Sequence, residues 1–181
     1  MEHESILVIG YGNELRGDDG VGPRSAALID ELHLVDVRVI AAHQLTPELS
    51  AQLANARCVL FLDADPTVSQ VQCERIDGRD YFGMNESALF GHSVGAPSLL
   101  ALTKALFGVE PSAWLIHLPA PCTAVSDRLS PVAEKGVEEC VRRVREWVES
   151  SRNRISGESA IADVFALPPE AWEPIPCMKQ V

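Results

Sequence analysis

The sequence predicts an α/β protein with a largely parallel sheet covered by helices on both faces. Two observations carry this. Short apolar runs alternate with helical patterns along the first 150 residues. The first run is continuously apolar, as a strand buried on both faces requires.

Residues 6–9, Ile-Leu-Val-Ile, open the pattern as a buried central strand. Gly10, Tyr11 and Gly12 follow, and glycine lets the backbone turn sharply there. The turn ends in Asp18 and Asp19, whose charges would repel a phosphate. Its glycines, Gly10, Gly12 and Gly17, also miss the dinucleotide spacing, which needs glycine where Leu15 stands. The loop suits a cation or a proton, and a nucleotide-binding enzyme is disfavoured.

A helix is expected over 20–32, a strand over 35–41 and a second helix over 46–55. Residues 58–62 form another apolar strand, and 70–76 alternate weakly as an edge strand. The third helix spans 96–107, with Pro97 in its first turn and Gly108 just past its end. Residues 113–118 make the last strand. The final helix covers 130–150, with Ser130 as its N-cap and Pro131 at its first position. Its apolar face carries Ala133, Val137, Cys140, Val141, Val144, Trp147 and Val148. Gly136 inside this helix costs about 1 kcal/mol in propensity, and the sequence offers no reason for it. The domain is thus 1–150, followed by a Pro-rich tail over 151–181 that is expected to be extended or disordered.

The chain has 181 residues, 46% hydrophobic and 23% charged, which fits one domain with a full core. Its net charge of −11 argues against nucleic acid or an anionic membrane as partner. No stretch is long enough for a membrane span, and the acidic start lacks the charge of a secretory signal. Five cysteines without a Cys-x-x-Cys pair read as reduced thiols of a cytoplasmic protein.

Ligands of open α/β sheets sit beyond the carboxyl ends of the strands. Those ends lead to Gly12–Asp19, to His43 and Gln44, to Asp63, and to the loop His117–Cys122. His92 precedes the third helix and belongs on the same rim. Carboxylates and imidazole together suit a first-row divalent metal. Asp18 either caps the first helix or acts, whereas Asp19 beside it cannot fill the same cap. Asp63 ends a very apolar strand, where a carboxylate is costly unless paired or metal-bound. Asp65 reads as a turn residue and His117 as a hydrogen-bonded core residue.

Gly10-Tyr11-Gly12-Asn13 with Leu15 and Asp18-Asp19-Gly20-Val21-Gly22, then Asp63-Ala64, then His92 before a helix, resembles the [NiFe]-hydrogenase maturation endopeptidases. The resemblance covers residues 5–150. It implies a three-layer αβα sandwich with a twisted, largely parallel sheet of about five strands. It also implies removal of the C-terminal peptide from the hydrogenase large-subunit precursor once nickel is inserted, with the cut after a His or Arg. Asp19, Asp63 and His92 match the family's metal-binding positions, although Glu is common where Asp19 stands. The nickel would be carried by the substrate. Asp19 and Asp63 are the best candidates for a catalytic role, since no Gly-x-Ser-x-Gly or His-Glu-x-x-His motif is present. His43-Gln44-Leu45, where many members have Asp-Gly-x-Thr, looks like the branch serving bidirectional NAD-linked hydrogenases and assigns His43 and Gln44 to substrate recognition. A monomer is implied. The same residues would also serve a nickel-dependent chaperone that does not cut.

Overall fold

Apolar alternation has produced one five-stranded sheet in the order β2-β1-β3-β5-β4. Strands β1 (Ile6–Tyr11), β2 (Val37–Ala42), β3 (Cys58–Asp65) and β5 (Ser112–Pro119) run parallel. Strand β4 (Gln72–Ile76) closes one edge antiparallel to β5. The computed structural model describes residues 6–81 and 95–155.

Among the described residues four helices cover the two faces: α1 (Val21–Glu31), α2 (Ser50–Leu53), α3 (Ala96–Phe107) and α4 (Pro131–Ile155). Strand side chains alternate between faces, so the core divides in two. On one face Ile6, Val8, Leu60, Leu62 and Ile116 pack with α1 and α4, through Ile29, Val137 and Val144. On the other Leu7, Ile9, Val59 and Phe61 pack with α2 and α3, through Leu53, Leu99 and Leu100. The result is the three-layer α/β sandwich expected.

Several boundaries moved, each for a physical reason. Strand β1 runs on through Gly10 and Tyr11, because Gly10 pairs in register with both Ala41 and Leu62. Strand β3 runs on to Asp65, so Asp63 lies within a strand, opposite His117. Strand β2 starts at Val37, after His33 and Asp36 adopt left-handed backbone (φ 46 and 62) and leave Val35 exposed. The helix expected over 46–55 is a 3-10 turn, Pro47–Leu49, followed by one α-turn. Helix α4 continues to Ile155, five residues past the boundary drawn from sequence. Ser130 does cap it, its Oγ accepting the Ala133 N–H at 3.2 Å. Gly136 also finds its reason: a Cβ there would lie 2.9 Å from Cδ of Pro119, at the end of β5.

From β1 the chain steps outward to β2, then returns across to β3 on the other side. The carboxyl ends of β1 and β3 therefore flank the crevice where the winding reverses. Such crevices are the ligand sites of open α/β sheets.

Candidate active site at the carboxyl ends of β1 and β3

The crevice is shaped first by close backbone packing. Helix α1 starts against the two strands, since a Cβ on Gly22 would overlap the carbonyls of Tyr11 and Leu62. Gly12 has φ +142, a conformation that other residues rarely adopt, and a Cβ there would strike the Asp19 carbonyl. These contacts fold the loop back over the end of β1. They bring Asp19, in the 3-10 turn Gly17–Gly20 before α1, to the rim.

Asp19 is fixed by its own loop: the Asn13 N–H donates to its Oδ2 at 3.0 Å. Asp63, half-buried, receives the Tyr11 hydroxyl on Oδ2 at 2.8 Å. Burial pushes the Asp63 carboxyl above the ordinary aspartate range. The bonds from Tyr11 and the Ala64 backbone, with the charge of His117, oppose this rise without cancelling it. The charge of Asp19 adds to it. Burial, together with the Asp63 charge, drives the Tyr11 phenol far above its usual range, so it remains a donor.

Asp18 has a different task from its neighbour. It is fully buried and accepts the N–H of Cys122 at 2.8 Å, the N–H of Ser130 at 2.6 Å and the Ser130 hydroxyl at 2.9 Å. It makes no cap bond to α1. The capping role that the sequence allowed is therefore not the one it fills. Asp18 is a tertiary tie that anchors the loop between β5 and α4 beside the crevice.

His117 lies at the rim and is not a core residue, with its side chain 21% exposed. Its ring meets Asp65 Oδ2 at 3.0 Å and Glu74 Oε1 at 3.2 Å. Asp65 also makes the turn expected of it, accepting the Thr67 N–H at 2.7 Å and the Thr67 hydroxyl. His43 and Gln44 follow β2 and are both exposed. His43 lines a cleft of about 390 Å³ with Gly12, Asn13, Glu14, Leu15 and Pro23, whereas Gln44 is not part of its wall.

His92 lies outside the described residues. Helix α3, which follows it, packs on the sheet face that carries Tyr11 and Asp63. Among the described residues no three His, Cys, Asp or Glu side chains gather to hold a metal ion. Asp19 and Asp63 contribute oxygen donors alone, which suit a divalent ion as part of a larger ligand set. Sequence reasoning missed Tyr11. Its only signal was a hydroxyl-bearing aromatic between two glycines at a strand end.

No protein-family model and no curated protein matches this chain. Solved structures do. A hydrogenase 2 maturation peptidase from a Thaumarchaeota archaeon shares 29% identity, covering 78% of this chain and 96% of its own, with a TM-score of 0.56. The [NiFe] hydrogenase maturation protease HycI from Thermococcus kodakarensis shares 22% identity over 81% and 93%, with a TM-score of 0.61. The hydrogenase maturating endopeptidase HybD from E. coli shares 20% over 84% and 94%, with a TM-score of 0.58. The chain therefore has the fold of the hydrogenase maturation proteases.

Proposed function

We propose that this protein is an endopeptidase that removes the C-terminal peptide of a [NiFe]-hydrogenase large-subunit precursor. One observation supports the reading: the chain shares its fold with a maturation peptidase at 29% identity, and the loop bearing Asp19 and the strand bearing Asp63 both end at its winding crevice. Hydrolysis needs a water activated beside the scissile carbonyl. The water adds to the carbonyl carbon, the C–N bond breaks, and a new carboxylate and a free amine result. Asp63 suits the base in this step, because burial makes its carboxylate more basic than an exposed one.

Nickel enters as part of the substrate, held in the large subunit's own thiolate site. Asp19, Asp63 and His92 would recognise it, which makes cleavage conditional on a filled metal site. Two carboxylates and one imidazole form a donor set that a first-row divalent ion accepts. His43 and Gln44 would select the substrate, and their sequence favours the hydrogenases of the bidirectional NAD-linked branch. The protein would act as a cytoplasmic monomer, without nucleic acid or membrane as partner. Among the described residues no helix is long and apolar enough to cross a membrane.

Intact-mass measurement of the precursor tests this reading. The nickel-loaded precursor should lose its C-terminal peptide on incubation with the protein, and the nickel-free precursor should keep it. Equal trimming of both refutes the metal gate. An unchanged mass in both indicates a chaperone and refutes the protease.

A further inference from the structure

We propose that Tyr11 is a positioning residue that orients the Asp63 carboxylate toward the substrate; this rests on the proteolytic reading above. The geometry begins with strand alternation. Residues 7, 9 and 11 of β1 and 59, 61 and 63 of β3 point to the same face of the sheet. The two strands are neighbours, paired through Gly10 and Leu62, so the next residues on each are Tyr11 and Asp63. The Tyr11 ring packs against the core cluster that contains Leu7, Ile9 and Phe61. Its hydroxyl emerges from that cluster and donates to Asp63 Oδ2 at 2.8 Å.

A phenol has one hydrogen to donate, and here its direction is set by a packed ring rather than by a flexible stem. That bond, with the one from the Ala64 backbone, restrains the orientation of the Asp63 carboxylate. Partners of this kind orient metal-binding and catalytic carboxylates, and their loss costs about 10–100-fold in affinity or activity. The strand fixes the Asp63 backbone, paired opposite His117, and the Tyr11 hydroxyl restrains its side chain.

The test compares Tyr11→Phe with the unaltered protein on the nickel-loaded precursor, together with a crystal structure of the variant. Phe keeps the ring and removes only the donor. We expect kcat/KM to fall at least about 10-fold, and the Asp63 carboxylate to turn by more than about 30° or to occupy two orientations. Incorporating 3-fluorotyrosine at position 11, which retains the donor, should preserve the full rate. If Tyr11→Phe does not fold, Tyr11→Met supplies an apolar side chain without a hydroxyl for the same two measurements. Cleavage within about two-fold of normal overturns the proposal, as does a slowed variant whose Asp63 has not moved. If the unaltered protein leaves the precursor whole, the proteolytic reading fails. If it cuts and the Phe variant cuts equally fast, only the role of Tyr11 fails.

Discussion

Asp63 is held in the structure at a cost to folding, because its carboxyl is buried and Asp19 repels its charge. Its affinity for a proton is raised in the native state, so native protein binds that proton more tightly than the unfolded chain does. The contribution to stability therefore falls as pH rises from the ordinary aspartate range through the native one, and stays fully unfavourable above it. Asp63→Asn removes the charge and leaves an oxygen for Tyr11 to donate to. Thermal melts across pH should show the variant more stable than the unaltered protein at neutral pH, with the gain shrinking as pH falls. A variant less stable at neutral pH would contradict this. The apolar strand ending in an acid was legible in the sequence. The hydroxyl that meets the acid was not, since Tyr11 and Asp63 are brought together only by strand pairing across 52 residues.

At the scale of the elements, two residues that look local act over long distances. Asp18 ties the 3-10 turn before α1 to Cys122 and to the Ser130 cap of α4, 104 and 112 residues away. Asp18→Ala would leave those buried donors without their acceptor. It should cost about 2–4 kcal/mol in urea unfolding and raise amide exchange throughout 120–130. A loss below about 0.5 kcal/mol would show that the tie is dispensable. Gly136 is the second case. Alanine would gain about 1 kcal/mol in helix propensity, but its Cβ would push into the Pro119 ring, which overpacking places at about 1–3 kcal/mol. Gly136→Ala should therefore lower stability by about 1 kcal/mol, whereas a more stable variant would mean that β5 and α4 can move apart. The start of α3 and the capped start of α4 were legible, because Pro97 and the Ser130–Pro131 pair act locally. The brevity of α2 and the purpose of Gly136 were not, because each is decided by what packs against it.

In the molecule as a whole, function follows from where the winding reverses. Placing β1 between β2 and β3 opens a crevice at one end of the sheet, with Asp19 on the loop that follows β1 and Asp63 near the end of β3. The order of strands and helices was readable from apolar alternation, and the rim was readable from which residues end each strand. That Asp18 and Asp19 differ in role was readable, but the buried tie that Asp18 makes was not, since its partners Cys122 and Ser130 lie more than 100 residues away. The carboxylates of this crevice are proposed to cut the precursor. The most direct measurement is the rate of peptide release from nickel-loaded precursor, followed by intact mass, for the unaltered protein and for Asp63→Asn. Release should proceed with the former and slow by at least about 100-fold with the latter, while both remain folded. Release at an undiminished rate by Asp63→Asn would contradict the account.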